Sequence, residues 1–200
     1  MTLASTLFGY IIGLPMGIVL TVTDKDGIRP NAAVYKVLDV ISNLLRSIPF
    51  IILLIVLIPF TRFVVGRSYG STATIVPLTI AAAPYIARMV ESSLKEVDAG
   101  VIEAARSMGA SDFQIVTRVM LVEARTSLIV GATISLGTIL GYSAMAGTVG
   151  GGGLGDIAIR YGYTRWQTDI MVVTVVLLVI LFQIFQTIGM KIANRLDRRK

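Results

Sequence analysis

Apolar residues gather into five blocks, each long enough to cross a bilayer, which takes about 20 residues of helix. Residues 1–23, 68–87, 126–155 and 170–190 carry no charge, and residues 40–61 are interrupted only by Arg46, near their start. The last block is the most plainly apolar, while the second half of 126–155 is too rich in glycine to be all helix. No Lys or Arg precedes the first block, so it lacks the basic flank of a signal peptide. It is expected as a retained span with a few residues missing at its start.

The longest polar interval, 88–125, has a helical pattern of its own. Asp98 is placed to cap a helix, and Val101, Ala104, Ala105 and Met108 follow at the i, i+3, i+4, i+7 spacing of one face. Gly109 is expected to end it as a left-handed residue. Ser111 and Gln114 then form a capping-box pattern that opens a second helix. Two short amphipathic helices meeting at a glycine corner must bury their apolar face on the ends of the spans or on another protein.

Composition agrees with the blocks. Of 200 residues, 54% are hydrophobic and only 15% charged, whereas about a quarter charged is usual for a soluble domain. The spans leave no room for a separate soluble domain, so the chain is expected to be a single all-α membrane domain, 1–200. Neither Cys nor His occurs, which removes disulfides, thiolate or imidazole metal sites and Cys or His catalysis. The net charge of +6 does not point to nucleic acid, because the charges sit at the ends of apolar blocks. Intervals 24–36 and 88–125 and the tail 191–200 hold thirteen basic residues, against four in 61–67 and 156–169. The positive-inside rule then puts the N-terminus outside and the C-terminal tail in the cytoplasm, beside anionic lipid.

Enzyme sites and coupled carriers find little support. No acid lies deep in a span, with Asp39 and Glu91 only at edges, whereas ion-coupled carriers usually need intramembrane carboxylates or paired broken helices. The glycine run 150–155 follows a membrane span instead of a strand and has no Lys-Ser/Thr after it, so it is neither a dinucleotide nor a phosphate loop. It reads as a flexible or closely packed turn at the outer end of span four. Prolines 15, 49, 59, 77 and 84 lie in spans as kink sites. Arg46 is expected to snorkel to the cytoplasmic headgroups. It is also carried, with Tyr142, Ser143 and Met145, as a candidate for the solute path or an interface.

The segment Glu103-Ala-Ala-Arg-Ser-Met-Gly109 resembles the EAA loop of bacterial ABC importer permeases, with Gly109 at the right spacing. Further on, Val119 replaces the family's Ile, Leu121 fits, and Val122 stands where Pro is usual. Runs Arg46–Leu54, Ala82–Glu91, Gly141–Gly147, Val149–Gly155 and Ile159–Tyr163 are similar to methionine-uptake permeases. The resemblance implies a type I ABC importer fold with five spans per subunit, in the inner membrane, and a coupling loop at about 92–125. It further implies a homodimer served by two cytoplasmic ATPases, which hold the ATP and magnesium, and by an external, usually lipid-anchored, binding protein. This chain would hold no cofactor and hydrolyse nothing. Glu103, Ala104, Ala105, Met108 and Gly109 would form the ATPase contact, the small alanines lying close to a groove.

The expected cargo is methionine, D- or L-, moved by alternating access. Alternatives within the class are another small amino acid or a methionine-containing peptide. Outside it stand a stand-alone channel or carrier, which would conduct without an ATPase, and a scaffold that moves nothing.

Overall fold

In a computed structural model, residues 1–197 are described, and all regular structure among them is helical. The end of the basic tail, residues 198–200, lies outside the described residues. Four helical stretches are long and apolar enough to cross a membrane, and a bent pair makes up to five.

Helix α1, Thr2–Thr23, runs against α5, Ser71–Lys95. Their seam is built from small residues. Ser5, Gly9, Gly13 and Gly17 recur every four positions and form the buried face of α1. A Cβ on Gly13 would sit 2.6 Å from the Ala83 carbonyl oxygen, and one on Gly17 2.5 Å from that of Ala87. Lipid tails are as apolar as leucine, so helices in a bilayer associate through such close backbone approach instead of through hydrophobicity. The wall that α5 offers is Ala82, Ala83, Ile86, Ala87 and Val90, all buried. Pro77 and Pro84 are also buried within α5, where neighbouring helices can re-satisfy freed backbone groups.

The block 40–61 does not form one straight span, which corrects the sequence expectation. Helix α2 begins eight residues earlier and covers Ala32–Ser47, opened by an Asn31 side chain that accepts from the Val34 amide. It stops at Pro49, after which come α3, Phe50–Val56, and α4, Ile58–Val65. The axes of α2 and α3 differ by 103°. Proline disfavours helical geometry in the residue before it, and Ile48 is extended, with ψ 125.

After α5 come α6, Ala99–Ser107; the short α7, Asp112–Gln114; a π-helical turn, Ile115–Met120; and α8, Leu121–Glu123. Helix α9, Arg125–Met145, then re-enters the bundle beside α5. A 3₁₀ turn, Ala146–Val149, leads into the glycine run, where Gly150, Gly152 and Gly153 all have positive φ. This turn is closely packed. The Gly70 amide donates to Gly150 O at 2.9 Å and Thr74 Oγ1 to Gly151 O at 3.4 Å, fastening it to the start of α5. Helix α10, Gly153–Ile157, a second π-helical turn, Ala158–Tyr163, and α11, Thr168–Leu196, complete the regular structure of the described residues, with α11 leaning on α9 where Gly189 meets Thr133.

Candidate coupling site

Helix α6 is defined at both ends by side chains and turns that the spacing had suggested. Asp98 accepts from the Gly100 amide at 2.7 Å. At the other end Gly109, at φ +81, lets its own amide reach Arg106 O (3.0 Å) and the Ala110 amide reach Ala105 O (3.1 Å). That pair of bonds is a Schellman motif. Ser111 and Gln114 then close a reciprocal capping box, with Ser111 N donating to Gln114 Oε1 at 2.8 Å. Glycine corner and capped second helix are therefore one rigid joint.

The face predicted for α6 is split in two by the structure. Ala105 is 5% exposed and packs inward with Ile102, against the core that includes Ile115, Met120 and Ala124. Ala104, Val101 and Met108 point away from the bundle, Met108 being 82% exposed. The reason is the number of neighbours: a nine-residue helix resting on one surface buries one narrow line, here 102 and 105, and leaves the flanks open. Glu103 and Gly109 are also exposed, and Glu103 has no hydrogen-bond or ion-pair partner among the described residues. Phe113, not singled out from the sequence, is 77% exposed just beyond the joint. Arg106 ties α6 to the loop after α1 through a 2.9 Å bond to Ile28 O. Behind α6 lies an open cleft of ≈ 580 Å³ that reaches Arg125 and the end of α11.

Above α6, at the last turns of α5, is a cluster that the sequence reading did not assemble. The charges at 88–95 place these residues at the start of a loop by sequence, but α5 continues through Lys95. Glu91, nearly fully buried, accepts from Arg88 Nη1 at 2.7 Å and from Lys95 Nζ at 2.8 Å. Arg88 also pairs with Asp39 on α2 and donates to Asn43 Oδ1, while Lys95 reaches Asp24 at the end of α1, at 2.6 Å. The Lys95 hydrogen bond holds the Asp24 carboxyl below its ordinary range. Three helices are thus pinned together directly above the loop. The i,i+3 and i,i+4 spacing of Arg88, Glu91 and Lys95 was the available signal.

Three of the four candidate path residues, Tyr142, Ser143 and Met145, share the last turn of α9, and Arg46 stands near the end of α2. Tyr142 stacks on Phe50 of α3, with ring centroids 4.7 Å apart. Ser143 is buried, accepting from Thr2 Oγ1 at 3.1 Å and donating to Leu140 O at 2.8 Å. Met145 is half-exposed at the end of α9. Arg46 is exposed near the end of α2, the fifteenth residue of a helix that begins at Ala32. Among the described residues no group of three or more Asp or Glu is arranged to hold a metal ion.

A bundle of long apolar helices carrying an amphipathic, capped helix pair between α5 and α9 is the arrangement of an importer permease. Residues 10–200 match the family of binding-protein-dependent transport system inner membrane components, and this chain belongs to that family. Within it, the chain is 49% identical to the probable D-methionine transport system permease protein MetI of Vibrio cholerae, over 96% of this chain and 85% of the relative. It is 55% identical to the D-methionine transport system permease protein MetI of Escherichia coli K12, over 74% of this chain and 68% of the relative. The fold superposes on an inward-facing structure of the MetNI methionine ABC transporter with a TM-score of 0.97 and 51% identity, over 98% of this chain and 91% of that one. An amino acid ABC transporter crystallised with histidines shares the fold at 22% identity, with a TM-score of 0.74.

Proposed function

We propose that this chain is the membrane subunit of an ATP-driven importer that carries methionine, D- or L-, across the inner membrane by alternating access. The observation that carries the coupling half of this reading is the outward line of α6. Glu103, Ala104, Met108 and Gly109, joined by Phe113, form an exposed surface on a joint that is itself tied to α5 and α9. Small residues in the middle let a partner approach closely, and Met108 and Phe113 offer apolar anchors. The cargo rests on the likeness to the MetI permeases.

In the full assembly two copies of this chain meet two cytoplasmic ATPases, which bind ATP and magnesium, and an external binding protein. Loop 92–125 is the coupling element, and Ala105 is the residue that seats it on the bundle. Closure of the ATPases pulls α6, and the ion-paired ends of α1, α2 and α5 carry that pull into the spans. Each subunit crosses the membrane five times, the bent α2–α3–α4 run counting once, with the N-terminus outside and α6 in the cytoplasm.

The test uses Gly109→Val and Glu103→Lys, with co-purification of the ATPase and methionine uptake as readouts. Nothing crowds a Cβ at position 109, so the cost to folding is only the left-handed strain of about 1–2 kcal/mol. Both variants should reach the membrane at normal levels, yet lose ATPase docking and uptake. Full co-purification with normal uptake in both would show that this loop is not the coupling element. A cysteine at Ser107, in a chain that has none of its own, should react only from the cytoplasmic side.

A further inference from the structure

Arg46 is a charge at an unexpected depth. Helices α2 and α5 run antiparallel, as Tyr35 donates to Glu91 at 3.4 Å and Asp39 pairs with Arg88, one step up α2 and one step back along α5. Arg46 lies two turns beyond Asp39, which brings it level with residues 81–84, the middle of the 25-residue α5. Counted from Ala32 it stands roughly 20 Å along the α2 axis. A guanidinium at such depth is costly unless it faces the bundle interior or water.

The side of α2 from which it projects excludes the lipid. Val34, Val37, Ile41, Leu44 and Ile48 form one exposed apolar line. Arg46 falls on the opposite face, in the helical row of Tyr35, Asp39 and Ser42, which is turned toward α5. At its level α5 presents only Ala81, Ala82, Ala83 and Pro84, and Arg46 is exposed within the subunit. Arg46 has no acidic partner among the described residues. Immediately after it the helix breaks, and Ser47, Ile48 and Pro49 are exposed. The last carbonyls of α2, from Leu44 onward, have no helical amide to accept from beyond the break, and the Ser47 hydroxyl turns back one turn, donating to Asn43 O at 2.7 Å. Open backbone at membrane depth is tolerated where it is buried in protein or lines a water-filled cavity, and no part of this subunit buries residues 47–49.

We propose that Arg46 and the 47–49 break line the solute path and form a transient site for an amino-acid zwitterion. The α-carboxylate meets the guanidinium fork, and the α-ammonium meets the free carbonyls at the negative end of α2. This rests on the chain being an amino-acid permease, and it adds the group that the path recognises. Side chains differ among amino acids while these two charges do not, so the site passes a cargo chosen elsewhere.

The experiment uses the transporter assembled with its ATPase in lipid nanodiscs and a charged, membrane-impermeant methanethiosulfonate reagent. Ser47→Cys should react nearly as fast as Ser107→Cys, and at least about a hundredfold faster than Val179→Cys on the exposed side of α11. Methionine should slow that reaction several-fold while methioninamide, which lacks the carboxylate, should not. Adding Arg46→Gln should abolish the protection and lower uptake about tenfold, with Arg46→Lys keeping part of both. A Ser47→Cys as inert as Val179→Cys overturns the proposal, as does equal protection by methionine and its amide. Absence of methionine uptake by the unmodified transporter refutes the proposed cargo alone, because water access at position 47 is read without any cargo.

Discussion

Helices α5 and α11 look alike as strings of letters, and α11 is the more apolar and the longer. Yet 61% of the apolar stretch of α5 is buried within the subunit, against 6% of that of α11. In water the more apolar helix would be the more deeply buried one. In a bilayer the preference disappears, because lipid accepts Val, Leu and Ile as readily as protein does. What sets α5 apart is size and polarity. Alanines and two prolines let α1 come close, and Glu91 with its two basic neighbours joins α5 to α2 and α1. Helix α11 has bulky side chains on nearly every side and few places where a backbone can approach, Gly189 beside Thr133 being one.

Three substitutions sharpen that contrast, in descending order of effect. Gly13→Leu forces a branched side chain into the α1–α5 seam, against the Ala83 carbonyl and Ile86. It should cost about 3 kcal/mol or more, seen as a collapse in the yield of folded, monodisperse protein in detergent. A normal thermal transition for this variant would mean that the seam is not what holds α1. Arg88→Ala removes one of the two cations facing Glu91 and the only one paired with Asp39 among the described residues. The expected loss is about 2–3 kcal/mol, below the 3–5 of a fully orphaned buried charge because Lys95 remains. Restoring the pair in reversed sense, as Asp39→Arg with Arg88→Asp, should recover only part of it, since Glu91 would then face an acid. Val179→Ala, on the exposed side of α11, should change the transition by less than about 0.5 kcal/mol. A shift as large as that of Arg88→Ala would place a protein partner, not lipid, against this face.

Much of the coupling site was legible in advance. Asp98, Gly109 and the Ser111–Gln114 box act through bonds to residues within a few positions, so local spacing contains the whole interaction. The family and its inner-membrane setting were legible for a similar reason, since the EAA segment and the charge-free blocks are contiguous runs. The outward turn of Ala104 and Met108 was not. A period of 3.6 gives the angle of each residue around its helix, but not which arc the bundle will cover, and a helix this short rests on only one line.

By itself, then, the sequence determined that the chain is helical, where most long apolar helices lie, and how the loop helices begin and end. These follow from hydropathy over about 20 residues and from hydrogen bonds between near neighbours. Only the tertiary structure decided which part of α5 Arg46 stands beside. Read along the chain, it stands near the start of an apolar block. Read in space, it stands two turns above an ion pair that draws α2 to α5, because Asp39 and Arg88, 49 positions apart, meet. The same holds for Glu91, whose charge belongs to the fold and not to a loop once α5 runs on to Lys95. Depth and burial are properties of which helices lie side by side, and that is set by contacts between distant residues, which no local pattern contains.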